Sequence, residues 1–124
     1  LHTIGSVDSP GPGQPFIQRR VFPGGKIPSL SDLISPIEKT GLIIADCETL
    51  IHHYDKTLKV WLERFLKNKE KAKFLYNKEF VRMWECYLSM CSSAFKFRDL
   101  VVYQLQLVKK FTAPPSNRRN YIYQ

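Results

Sequence analysis

The chemistry that this sequence could carry begins at His2. It lies in a short alternating run, Leu1-His2-Thr3-Ile4, that meets Gly5, and the carboxyl end of a strand is where open α/β sheets place their ligands. On position alone, a ligand-binding and a structural histidine stay equally open. Asp46 and Glu48 flank Cys47. Carboxylates so placed read more simply as capping a helix start and complementing its dipole than as an acid–base pair. His52 and His53 are adjacent, so on a helix they point in different directions and cannot chelate one metal; they read as surface or partly buried residues. Cys47, Cys86 and Cys91 form no C-x-x-C pair and have no histidine at zinc-ligand spacing. They read as small buried hydrophobes, not as a disulfide framework or a zinc site. No Gly-rich phosphate loop follows a strand, and no nucleophile elbow is present.

Charge is the other chemical signal. The 124 residues hold 19 Lys and Arg against 11 Asp and Glu, a net +8, and Lys56 to Lys73 alone carries seven cations against Glu63 and Glu70. A solvated helix face, a nucleic-acid surface and an anionic membrane surface all fit such a run. The aromatics here fall on a helical core stripe instead of interleaving with the cations, which argues against base stacking. A Lys near an anionic leaflet is worth about 1 kcal/mol, enough for part of the cluster to hold a protein on lipid transiently. With 44% hydrophobic and 13% aromatic residues the chain can fill a core, which a disordered basic tail cannot. Its longest aliphatic run, Leu42 to Ala45, is far short of the ~20 residues of a spanning helix, so a soluble, intracellular protein is expected. The first residue, a leucine in what reads as a strand, points to a piece of a longer chain.

Glycine and proline define the elements that would position these groups. Every glycine lies at or before Gly41, and no proline occurs between Ile37 and Ala113, so strand ends and loops are expected in front and regular structure behind. Leu1 to Ile4 reads as a buried strand. Ser9 to Gly13 and Phe22 to Gly25 read as turns. Ser29 with Asp32 resembles a helix cap, followed by Leu30, Leu33, Ile34 and Ile37 on one face and by Gly41 as terminator. Leu42 to Ala45 reads as a buried strand. Tyr54, Leu58, Trp61, Leu62 and Phe65 recur at helical spacing, as do Phe80, Met83, Trp84, Tyr87, Leu88 and Cys91 behind a cap at Asn77. A separate helical turn or two fits Asn68 to Phe74. Leu100 to Val108 alternates as a strand, and the tail after Lys110 is expected to be poorly ordered.

Several segments together resemble one family across nearly the whole chain, the cyclopropane-fatty-acyl-phospholipid synthases and mycolic acid cyclopropane synthases. They are Leu1-His2-Thr3-Ile4-Gly5; Phe22-Pro23-Gly24-Gly25 with Ile27-Pro28-Ser29-Leu30-Ser31; His53-Tyr54-Asp55-Lys56-Thr57-Leu58 leading to Trp61 and Glu63-Arg64-Phe65-Leu66; Arg82-Met83-Trp84-Glu85-Cys86-Tyr87-Leu88 with Ala94-Phe95; and Val102-Tyr103-Gln104.

The resemblance implies the carboxyl-terminal part of a doubly wound α/β methyltransferase that uses S-adenosylmethionine. Its last three strands lie in the order five, seven, six with the last antiparallel, and a helical region is inserted over the acyl site. Residues 1–49 would be strand, loop, helix and strand, 50–97 the inserted helices, 100–110 the last strand and 111–124 a tail. The resemblance also implies a bicarbonate pocket, to which His2, Ile4 through its backbone, and Tyr54 correspond by motif, and an acyl channel lined by Tyr87, Cys91 and Trp84. The glutamate and cysteine of that pocket and the cofactor loop have no counterpart here, so the chain by itself is expected to be inactive. The implied partners are a phospholipid acyl chain and an anionic membrane surface, peripherally and from the cytoplasm, with a homodimer allowed and nucleic acid not expected. A stand-alone basic module binding a membrane or nucleic acid, and a relative that methylates lipid without closing a ring, remain the alternatives.

Overall fold

The computed structural model describes residues 1–8, 14–112 and 120. Its elements are β1 (His2–Ser6), α1 (Pro15–Arg20), α2 (Leu30–Lys39), β2 (Ile43–Leu50), α3 (His53–Lys67), α4 (Lys69–Leu75), α5 (Lys78–Phe97) and β3 (Leu100–Val108). The strands form one sheet in the order β1-β3-β2, with β3 antiparallel to both neighbours. This is the order and orientation expected of strands five, seven and six. The turn predicted at Ser9 to Gly13 lies outside the described residues, as does most of the tail.

The alternation of β3 divides the core in two, because successive strand residues face opposite sides of a sheet. Val101, Tyr103 and Leu105 pack with Ile37 of α2, while Val102 packs with Leu58 of α3 and with Leu88 and Phe95 of α5. Leu58, Leu88 and Val102 are the most deeply buried large side chains, and truncating either leucine to alanine would cost about 3 kcal/mol. α2 starts as its sequence dictates: the Asp32 N–H donates to Ser29 Oγ at 3.3 Å and the Ser29 N–H to Asp32 Oδ2 at 2.8 Å. Phe22 to Gly25 forms the predicted turn. Gly25 N–H donates to the Phe22 carbonyl at 3.0 Å, and Gly24 takes a φ of 74°, the left-handed value a type II turn needs at that position.

Four expectations need correction. β1 runs through Gly5 to Ser6 and is buried only at that end; His2 and Ile4 are exposed. Its far end is tied down where Ser6 Oγ donates to Asp99 at 2.6 Å and Val7 N–H to the Asp99 carbonyl at 2.9 Å. Strand β2 continues to Leu50, so Asp46 and Glu48 are strand residues and cap no helix. Cys47 and Cys86 are exposed and Cys91 is half-buried; none is a sealed core residue. Helix α1, with Pro15 in its first turn, was not foreseen, because six residues are too few to show a helical period.

Two contacts hold the halves of the core in place. At Gly5 an added methyl group would overlap the Tyr103 ring and stand 3.2 Å from the Pro28 carbonyl, and that ring is anchored because Tyr103 Oη donates to the Ser6 carbonyl at 3.0 Å. On the other side Asp55 is buried between α3 and α5, where Ser92 Oγ donates to it at 2.5 Å and Lys59 Nζ at 2.8 Å. Lys59 and then Ser92 hold the Asp55 carboxyl below its ordinary 3.8, against the opposing effect of burial. A depressed folded pKa means that this carboxylate stabilises the fold at any pH above that range and ceases to do so as the pH falls through the folded value.

Gly5→Ala is therefore expected to destabilise the chain by about 2 kcal/mol or more in urea unfolding, and a smaller residue at Tyr103 should recover part of the loss. Ser92→Ala should cost about 1.5 kcal/mol at neutral pH. It should also flatten the loss of stability below pH 3.8, since Asp55 then keeps Lys59 alone; a parallel acid limb in both proteins would show that the Ser92 contact contributes nothing.

Candidate functional site

The side chains expected to do chemistry are distributed by the sheet register. His2 pairs with Gln104 and Ile4 with Val102, so both face the side of the sheet covered by α3 and α5. Tyr54 packs against that same cluster, at 5.0 Å from the Phe95 ring and 5.9 Å from the Trp61 ring. All three candidates for the bicarbonate pocket therefore share one face. Leu1 and Leu105 exchange both backbone hydrogen bonds at 2.8 Å. In an antiparallel ladder the alternate residues then turn their N–H groups away, which directs the Ile4 N–H to the outer edge of β1.

Entry into α3 sets the position of Tyr54. His52 adopts a left-handed φ of 62° and its Nδ1 lies 3.2 Å from the Phe95 carbonyl near the end of α5. Histidine is among the non-glycine residues that tolerate this conformation, and here it bends the chain sharply from β2 into α3. The Asp55–Ser92 bond then fixes α3 along α5.

A register shift at Ala45 brings a further pair to the His2 face. Ile44 pairs with Leu107 but Asp46 pairs with Gln106, a β-bulge, so Leu42 and Ile44 pack on the α2 side while Asp46 and Glu48 turn to the other. They line a shallow depression of about 250 Å³ with His2 and Gln104. Sequence reasoning missed this, although the switch from Leu42 and Ile44 to Asp46 and Glu48 at the same spacing is its trace. Tyr54 is not among the residues of that depression.

A larger cavity, of about 640 Å³, lies between α1, the Phe22–Ile27 loop and α5. Its wall includes Ile17, Phe22, Ile27, Met90, Cys91 and Leu100, with Lys26 and Arg98 among its polar residues. Cys91 thus opens into a mostly apolar space. Tyr87 and Trp84 do not line it directly; they form the adjoining aromatic row, with Tyr87 5.0 Å from Trp84 and 6.0 Å from Phe22. Burial pushes Tyr87 up to about 12, with smaller contributions from Cys91 and Tyr54, and burial also raises the Cys91 thiol against a hydrogen bond from Tyr87. Both stay protonated at neutral pH. Such a cysteine is a weak nucleophile and suits an uncharged wall.

Among the described residues no helix is long and apolar enough to cross a membrane. Residues 1–105 match the family model described as mycolic acid cyclopropane synthetase. The chain is 38% identical over 104 residues to the tuberculostearic acid methyltransferase UfaA1 of Mycobacterium tuberculosis, covering 82% of this chain and 24% of that protein. It is 34% identical over 105 residues to the cyclopropane-fatty-acyl-phospholipid synthase of Escherichia coli, covering 85% of this chain and 27% of that one. The solved mycolic acid cyclopropane synthase CmaA1, complexed with SAH and CTAB, superposes with a TM-score of 0.76 at 27% identity over 86% of this chain and 42% of that structure. The chain therefore spans about a quarter of the length of these sequence relatives. Blocks, strand order and fold agree: the chain belongs to the mycolic acid cyclopropane synthetase family.

Proposed function

We propose that the full-length protein transfers a methyl group from S-adenosylmethionine to the cis double bond of a phospholipid acyl chain and closes it to a cyclopropane. The observation that carries this reading is the match of residues 1–105 to the family. The mostly apolar cavity at Cys91 supports it, with room for an acyl segment and with Lys26, Arg98 and Asp99 among its lining residues. No Gly-rich cofactor turn follows a strand among the described residues, so we place cofactor binding outside this chain and infer that the chain alone neither binds S-adenosylmethionine nor turns over lipid.

An alkene is a weak nucleophile, and its methylation leaves a carbocation that must be stabilised and then lose a proton. Bicarbonate, when bound, supplies a fixed anion and a base for that purpose. The imidazole of His2, the N–H of Ile4 and the phenol of Tyr54 are the groups of this chain that would hold it, a donor set that suits a planar oxyanion. The Ile4 N–H is turned away from the β3 ladder, and Tyr54 packs over the same face. Cys91 with Tyr87 and Trp84 would exclude water and hold the acyl chain. Because Tyr87 and Cys91 remain protonated, they add no charge that competes for the cation.

A second reading, methylation without ring closure, is favoured by the 38% identity to a relative named as a methyltransferase. The two differ in what becomes of the cation, and mass spectrometry of the product lipid separates them.

In the full-length protein Tyr54→Phe and His2→Gln are expected to lower turnover about tenfold or more, in the range of a lost acid–base or anion-holding group. Cofactor affinity, measured by calorimetry, should stay within about twofold, since neither group is placed at the cofactor. Wild-type transfer of labelled methyl groups by both variants would remove these residues from the site.

A further inference from the structure

The corner between α4 and α5 carries an exposed apolar surface outside the candidate site. Phe74 is 88% exposed, Leu75 62% and Tyr76 65%, three consecutive large side chains at the point where the chain reverses. Cations precede them along the end of α3 and along α4. Lys69 is paired with Glu85 at 2.9 Å and Lys73 with Glu70 at 3.5 Å, whereas Arg64, Lys67 and Lys71 have no carboxylate within salt-bridge distance among the described residues. Exposed apolar and aromatic groups flanked by free cations are what an interfacial membrane segment presents: the former enter the headgroup boundary, the latter meet anionic lipid.

The corner is also one end of a continuous aromatic row. Tyr76 stacks on Phe80 at 4.3 Å, Phe80 on Trp84 at 5.8 Å, and Trp84 meets Tyr87 at 5.0 Å. Tyr87 lies one helical turn before Cys91, in the wall of the 640 Å³ cavity. An apolar track thus runs along α5 from the exposed corner to the space proposed for the acyl chain. A nucleic acid would use the same cations, but Leu75 has no ring to stack on a base and the Phe80 ring is already stacked between Tyr76 and Trp84.

We propose that this corner, Phe74, Leu75 and Tyr76 with Arg64, Lys67 and Lys71, docks on an anionic lipid bilayer, and that the row from Tyr76 to Tyr87 leads an acyl chain from the bilayer towards Cys91. The direction of that track rests on the lipid methyltransferase reading; the docking does not.

The test is cosedimentation of the full-length protein with vesicles of phosphatidylcholine containing phosphatidylglycerol, and with vesicles of phosphatidylcholine alone. The parent protein should bind the first, release with salt, and bind the second weakly. Phe74→Ser/Leu75→Ser should lower partitioning about tenfold at every salt concentration. Lys67→Gln/Lys71→Gln should lower it about fivefold per lysine at low salt and remove much of the salt dependence. These side chains are exposed, so thermal unfolding of both variants should match the parent. Parent-like binding by both variants overturns the docking surface, and so does loss of self-association with vesicle binding intact, which would make the corner a subunit interface. Methyl transfer to detergent-dispersed lipid is measured alongside. Transfer that persists while the variants bind vesicles normally rejects the docking and keeps the enzyme reading; absence of transfer in the parent, with binding lost in the variants, does the reverse.

Discussion

The structure depends on β3 being hydrogen-bonded along both edges. A strand so placed gives each face of its alternation a separate task. Val101, Tyr103 and Leu105 close the side of α2, while Val102 is the point on which α3 and α5 converge through Leu58, Leu88 and Phe95. Shifting β3 by one residue would exchange these faces and dissolve both clusters. The same register decides which side of the sheet carries chemistry. It sets His2 opposite Gln104 and Ile4 opposite Val102 on β1, and Glu48 opposite Gln104 on β2.

The face under α3 and α5 has two chemically different regions. Towards the start of β1 it is polar, with His2, Asp46, Glu48 and Gln104 around a shallow depression. Along α5 it is largely aromatic, and burial keeps Tyr87 and Cys91 protonated, with Lys26, Arg98 and Asp99 among the residues that line the adjoining cavity. The buried Asp55 belongs to neither region. Its two hydrogen bonds keep the charge occupied and fix one helix against the other.

Sequence made the long amphipathic helices, the alternating last strand and the cap at Ser29 legible, because each repeats a signal over several residues or satisfies named backbone groups. The arrangement of the three strands came from the resemblance, since hydrophobic period carries no pairing information. What stayed hidden was local and geometric. The bulge at Ala45 inverts the faces of β2 after two residues, so Asp46 and Glu48 looked like a helix start. Helix α1 is too short to have a period. Cys47 lies opposite Leu105 on the α2 side of the sheet and is nonetheless exposed there, which residue type does not encode. Of the site, the shared face of His2, Ile4 and Tyr54 could be anticipated only through the family motifs, and the partnership of Asp55 with Ser92 joins residues 37 positions apart with no local trace.

In the proposed function, this part of the full-length protein holds the acyl chain on the α5 side of the sheet. Photo-crosslinking the full-length protein with a phospholipid bearing a diazirine beside its double bond, followed by peptide mapping, locates that chain. Label is expected between Tyr87 of α5 and Leu100 at the start of β3, and on the Ile17 to Ile27 segment that forms the opposite wall of the cavity. Label confined to α2 and the far face of the sheet, or none within this chain, would overturn that placement.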